Sequence, residues 1–298
     1  MLLAHDVSGS GPAVLLLHST VCDRRMWDPQ VPALTAAGHQ VVRCDLRGWG
    51  DSPVPIGAEW DNAADIAALL DSLGISRTAI VGASGGGRVA LEFAVRWPEH
   101  VTALALLCTA LRGHEPSAAL RAFGDREDAL LEAGDIDGAT ELNVDLWLGP
   151  EAGEKERALV RQMQRHAFDV QLAAERAEKA EKAAAAPATA AGQPEAAAQK
   201  ATAADQPEAA TAPTATTEPA KTTESTKPTE PDLTAITAPA LLVSGAHDLP
   251  DFHEIATHLT TRLPHARHEE LPWAGHLPNL ERPDLTNPLL ISFLAETR

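Results

Sequence analysis

The sequence predicts an α/β protein with a mostly parallel central sheet, helices on both sheet faces and a helical segment inserted before the last strands. Three observations carry this. Short apolar runs alternate with amphipathic stretches up to about residue 111, and the same rhythm returns at Pro239. Between the two blocks the chain loses its strand-like runs. A glycine-rich turn, Gly82-Ala83-Ser84-Gly85-Gly86, lies directly after one apolar run and directly before one amphipathic stretch.

The elements follow in order. Ala13–Leu17 is an apolar run behind Gly-Ser-Gly-Pro and reads as a buried strand. Pro29–Ala37 can form a helix, with Gly38 placed to end it. Gln40–Cys44 is a second strand. Asp61–Leu73 is helical, with Ile66, Leu69, Leu70 and Leu73 on one face and Gly74 as its stop. Thr78–Val81 is a third strand, and Gly85–Trp97 is a helix that Pro98 ends. Val101–Cys108 is a fourth strand. Continuous apolar strands separated by helices indicate a parallel sheet buried on both faces.

Residues 112–186 read as helical, with Leu142, Val144, Leu146, Trp147 and Leu148 clustered before a Gly-Pro stop and Leu159, Val160, Met163 and Phe168 on a later helix. The stretch AAERAEKAEKAAAA can extend that helix, because its residues are strong helix formers. From Leu172 to Leu233 no Leu, Ile, Val, Met, Phe or Trp occurs between the two. Residues 187–232 therefore cannot bury enough apolar surface to offset the entropy of ordering, and are expected to form a disordered tether. Residues 233–298 complete the sheet begun by residues 1–111, with Ala240–Val243 and His268–Leu271 as strands and Asp251–Leu263 and Leu285–Ala295 as helices.

The Ser84 turn carries the chemistry. A G-x-S-x-G between a strand and a helix is a cramped bend in which small neighbours let the serine hydroxyl project at the sheet's carboxyl edge. No G-x-x-x-x-G-K-[ST] or G-x-G-x-x-G spacing is present, so a phosphate loop is disfavoured. A serine nucleophile needs a base, and the base needs a carboxylate. His276, in Ala274-Gly275-His276-Leu277, is the expected base. Asp248, just past the Ala240–Val243 strand, is the expected acid; Asp251 competes but suits the cap of the following helix. The oxyanion hole is expected from the backbone amides of Gly85 and Thr20, with Val21 as the alternative to Thr20. His18 is expected to brace its loop through a buried hydrogen bond.

Taken together, LLLHST, MWDPQVPAL, RCDLRGWGDS, VGASGG, LLVSGAHD and GHLPNLERP resemble the α/β-hydrolase superfamily, and among its members the carboxylesterases and 3-oxoadipate enol-lactonases. The resemblance covers residues 13–111 and 239–298. It implies the α/β-hydrolase fold, with residues 112–186 as a helical cap over the pocket. It further implies a serine hydrolase acting on an ester or lactone, structural roles for Asp45, Arg47 and Gly48, and substrate contacts from Trp49 and, in the cap, Trp147. Carbon–carbon bond hydrolysis or cofactor-free perhydrolysis on the same triad is the alternative, and a non-catalytic binding protein a more distant one. Ser19 stands where the family usually has glycine.

Composition narrows the partners. The formal net charge of −18 opposes nucleic-acid binding. Without a single tyrosine, no step can use a tyrosine hydroxyl. Three cysteines make no disulfide framework; Cys44 and Cys108 are expected to be buried, and Cys22 to be reachable by thiol reagents. Neither a signal peptide nor an apolar run of membrane-spanning length is visible. The expectation is a cytoplasmic enzyme with a small-molecule substrate and no cofactor, metal or membrane partner.

Overall fold

In the computed structural model, residues 2–55, 57, 59–185 and 230–297 are described. Their strands are β1 (His5–Gly9), β2 (Ala13–Leu17), β3 (Gln40–Cys44), β4 (Thr78–Ala83), β5 (Val101–Leu107), β6 (Ala240–Gly245) and β7 (Ala266–Leu271). They form one sheet in the order β1-β3-β2-β4-β5-β6-β7, with β1 antiparallel to β3 and every other neighbour parallel. The sequence pattern does not reveal β1. HDVSG is polar and only half-buried, as an edge strand with one hydrogen-bonded neighbour can be.

Side-chain alternation splits the core into two layers. Val14, Leu16, Val81, Ala105 and Leu107 face one way, and Leu15, Leu17, Ile80, Leu104 and Leu106 the other. Leu15, Leu16 and Leu17 are all fully buried. At about 1.5–3 kcal/mol for each such aliphatic side chain, this run fixes the strand's register. Gly82 pairs with Leu17 and with Leu106, and Leu106 with Leu242. The carboxyl ends of β2, β4, β5 and β6 therefore reach one edge together.

Helices α1 (Gln30–Ala36), α2 (Asn62–Ser72) and α3 (Gly85–Arg96) follow β2, β3 and β4. Asp61 caps α2 by accepting from the Ala64 amide at 3.0 Å. Between β5 and β6 come α4 (Ala118–Glu132), α5 (Ile136–Trp147) and α6 (Glu154–Ala185), so α6 includes the alanine- and glutamate-rich stretch. The apolar side chains Val144, Val160 and Met163 bury against one another and the rim of the sheet. The expected tether falls, for residues 187–229, outside the described residues. The described chain resumes at Glu230, which accepts from His258 and Arg262 on α7 (Pro250–Arg262) at 2.9 and 3.3 Å. The chain closes with α8 (Pro278–Glu281) and α9 (Pro283–Glu296). No helix of the described residues is long and apolar enough to cross a membrane.

Candidate active site

Ser84 sits between β4 and α3 with φ 51° and ψ −118°, a left-handed backbone that a non-glycine residue adopts only under constraint. The constraint is the crowding around it. A Cβ on Gly86 would lie 2.4 Å from the Leu17 carbonyl oxygen, and one on Gly82 2.7 Å from the Gly87 Cα. A Cβ on Gly87 would meet the Thr109 hydroxyl at 2.2 Å. Glycine is therefore forced at these positions, and the serine is squeezed outward. The Ser84 amide donates to Leu107 at the end of β5, and its carbonyl accepts from Ala110. Gly85 opens α3, so its N–H has no partner inside the helix.

The turn after β2 lies against this elbow. A Cβ on Gly85 would come within 2.5 Å of Thr20 Cγ2. The Cys22 amide closes the turn on the Ser19 carbonyl at 2.9 Å. The Val21 amide faces the Ser19 hydroxyl at 3.5 Å, which leaves Thr20 as the freer donor of the pair. His18 is fully buried: its Nε2 accepts from the Leu46 amide at 2.9 Å, so Nδ1 carries the proton and donates to the Ser19 carbonyl at 2.8 Å. Burial holds its pKa below the usual histidine value. Trp49 shuts the turn from outside, its indole N–H donating to the Thr20 carbonyl at 2.6 Å. The same tryptophan borders a cavity of about 660 Å³ between its own loop and α6, together with Val54, Pro55, Trp60, Gln171 and Glu178.

Below this loop, Asp45 accepts from the amides of Arg24 and Asp51, each at 2.8 Å, and pairs with the Arg24 guanidinium. Arg47 makes a two-pronged pair with Asp65 at 2.6 Å on both prongs. Gly48 takes φ 89°.

Asp248 follows β6 and His276 follows β7. Their side chains meet, with His276 Nδ1 donating to Asp248 Oδ2 at 2.7 Å, and are 2% and 1% exposed. The other Asp248 oxygen accepts from the Leu249 amide at 2.7 Å. Phe252 on α7 and Trp147 at the end of α5 pack on the imidazole, with ring centroids 4.2 and 4.5 Å away. Trp147 is itself only 6% exposed, and its N–H is used by Asn143. The residue expected from the resemblance to contact substrate thus stacks on the His276 ring. Cys108 directly follows β5 with φ 44°, its thiol directed at the Gly275 carbonyl 3.7 Å away. Its sulfur, an Asp248 oxygen and a His276 nitrogen lie within 4.8 Å of one another. Burial, reinforced by the Asp248 charge, pushes the Cys108 thiol well up, so it is a neutral neighbour rather than a thiolate.

Two expectations need correction. Asp251 does not cap α7. Its buried Oδ1 accepts from the Ser117 amide at 2.7 Å and faces His114 Nε2 at 3.1 Å, tying the start of α4 to α7. The cap rule reads only local neighbours, and Ser117 is far away in the chain. Cys22 is not reachable either. It is fully buried in the layer around Met26 and Trp27, and burial pushes its thiol well up. Glu281, which the sequence did not single out, is 4% exposed and accepts from the amides of Gly275 and Leu277 on either side of His276.

With Ser84, the Thr20 turn and His276 all following parallel strands at one sheet edge, the chain belongs to the α/β-hydrolase fold family, whose model matches residues 12–283. A Variovorax paradoxus protein named as a carbamate hydrolase is 37% identical over 138 residues, which cover 45% of this chain and 51% of that protein. The matched stretch thus spans about half of this curated relative. Among solved structures, an esterase of Thermogutta terrifontis superposes with a TM-score of 0.70 at 24% identity, covering 99% of this chain and 93% of that one. The enol-lactonase of Burkholderia xenovorans does so with 0.67 at 23%, covering 98% and 96%. These two likenesses establish the fold.

Proposed function

We propose that this chain is a serine hydrolase that cleaves a carboxylic ester or lactone through an acyl-enzyme on Ser84, with His276 as base and Asp248 as its orienting acid. The carrying observation is the buried 2.7 Å His276–Asp248 bond, which leaves Nε2 as the free nitrogen on the edge where the strained Ser84 projects. As Ser84 Oγ bonds to the substrate carbonyl carbon, its proton passes to His276 Nε2. The charge left on the carbonyl oxygen is received by the Gly85 and Thr20 amides. Collapse breaks the ester C–O bond, and the leaving oxygen takes the proton back from His276. Water, deprotonated by the same histidine, then releases the acid and restores Ser84. Trp49, set between the Thr20 turn and the cavity, is the substrate contact in this reading. Helices α4–α6 serve as the cap. Free, buried cysteines suit a reducing, cytoplasmic setting.

The test is labelling with a fluorophosphonate probe alongside turnover of p-nitrophenyl acetate and butyrate. The expected result is stoichiometric labelling and turnover, with both lost in Ser84→Ala to at least about a thousandfold below the parent. Equal labelling of parent and variant removes Ser84 as nucleophile. A labelled Ser84 that turns over no ester redirects the reading to carbon–carbon bond hydrolysis or perhydrolysis.

A further inference from the structure

Glu281 is a buried carboxylate that, among the described residues, no lysine or arginine pairs with. The neighbouring Arg282 turns outward to Glu151 and Asp284, at 3.2 and 2.8 Å. Inside, Glu281 Oε1 accepts from Gly275 at 3.1 Å and Leu277 at 3.2 Å, and Oε2 from Gly275 at 2.9 Å. Gly149, just past α5, crowds the same carboxylate: a Cβ there would lie 2.5 Å from Oε2. Gly149 and Gly275 are pressed back to back: a Cβ on either would fall 2.4 Å from the other's nitrogen. The His276 amide completes the junction by donating to the Trp147 carbonyl at 3.2 Å. One carboxylate thus accepts from the amides of both residues that flank His276, beside the exit of α5.

We propose that Glu281 is a positioning residue for His276, clamping the histidine loop beside the α5 exit and adding a second negative charge behind the imidazole. This rests on His276 acting as the base. The charged and titratable groups facing His276 are few. Asp248 comes from the loop after β6, Cys108 from just past β5 as a neutral thiol, and Glu281 from α8. The elements packed on the ring present Trp147 and Phe252, and Asp251 beside Phe252 turns away to His114 and Ser117. As the imidazole takes the proton from Ser84, it gains a positive charge that Asp248 and Glu281 both stabilise.

Burial raises the Glu281 pKa above the ordinary glutamate value. The folded state therefore holds that proton more tightly than the unfolded chain does. A buried carboxylate held by backbone amides on either side of a reacting group points to function.

The test compares the full chain with Glu281→Gln and Glu281→Asp, following kcat, KM and probe labelling of Ser84 from about pH 5 to about pH 9. Glu281→Gln is expected to lower kcat about ten- to a hundredfold with KM changed less than about twofold. With one anion removed, the imidazolium is less stabilised, so the acid limb of kcat/KM moves about half to one unit lower in pH. Glu281→Asp keeps the charge but shortens the reach, so kcat falls while the limb stays. Loss of melting temperature in Glu281→Gln with an unmoved limb and parental kcat would reduce Glu281 to a structural brace and overturn the proposal. Should Glu281→Gln fail to fold, Glu281→Asp decides: a kcat within about twofold of the parent overturns it. Turnover that survives Ser84→Ala strikes the nucleophile assignment instead, so the two failures remain separable.

Discussion

The two halves of the site are built by opposite means. The serine half is compact in sequence: Gly82, Ser84, Gly86 and Gly87 are near neighbours, and crowding against the ends of β2 and β5, with the Leu107 and Ala110 hydrogen bonds, sets the backbone of Ser84. The histidine half is assembled from afar. His276 is held by Asp248 after β6, by Trp147 and its carbonyl from the helices between β5 and β6, by Phe252 on α7 and by Glu281 on α8. A bend fixed by excluded volume depends on the two strand ends it is pressed against, β2 and β5, and on little else. A side chain fixed by partners from four elements is sensitive to each of them, and chiefly to the inserted helices.

Substitutions can break or sharpen this contrast. The largest expected effect is Trp147→Ala. It opens a cavity among Phe123, Phe252 and His276, whose rings lie 5.1, 5.7 and 4.5 Å from the indole. Loss of a buried tryptophan costs about 3–5 kcal/mol, and kcat should fall with it because the imidazole loses a wall. Denaturant unfolding and turnover check this. A loss below about 1 kcal/mol with parental kcat would mean that the inserted helices do not hold the histidine. Next comes Gly86→Ala in the other half. Its Cβ would strike the carbonyl oxygens of Leu17 and His18 at 2.4 and 2.5 Å, both backbone atoms that cannot swing aside. Overpacking of this kind costs about 1–3 kcal/mol and should move β2 relative to α3. An unaltered melting temperature would show that the elbow has more slack than the crowding implies.

The same contrast explains how much could be read in advance. Ser84 was legible because its constraint is written in adjacent glycines, and the strands because β2 and β5 are unbroken apolar runs. Asp248 and His276 could be picked out as residues following strands, but not the bond between them. Nothing local says that Trp147 stacks on the His276 ring. Glu281 sits in an ordinary-looking Leu-Glu-Arg-Pro, and only the folded chain brings Gly149 and the Gly275 amide to it. Cys22 looked reachable from its place beside a loop, yet its neighbours Met26 and Trp27 fold over it as part of the core. Asp251 was misassigned for the reason Glu281 was missed: a short-range rule was applied to a carboxylate with long-range partners.

The smallest effect tests the serine half through pH. His18 has its pKa lowered from the ordinary 6.5 by burial, and its two nitrogens are already committed to Leu46 and Ser19. The folded protein therefore refuses a proton that the unfolded chain accepts. The stability His18 brings is complete above its unfolded value of 6.5 and is lost as pH falls below it, at no more than about 1.4 kcal/mol per pH unit. Urea unfolding near pH 7 and near pH 5 should show a steeper acid loss in the parent than in His18→Asn, which has no proton to refuse. The opposite contribution of Glu281, whose raised pKa favours the folded state as pH falls, is present in both proteins and cancels in the comparison. Identical pH slopes would mean that the buried imidazole can take a proton after all. In that case the turn bearing Thr20 is held by packing against Gly85 rather than by the His18 hydrogen bonds.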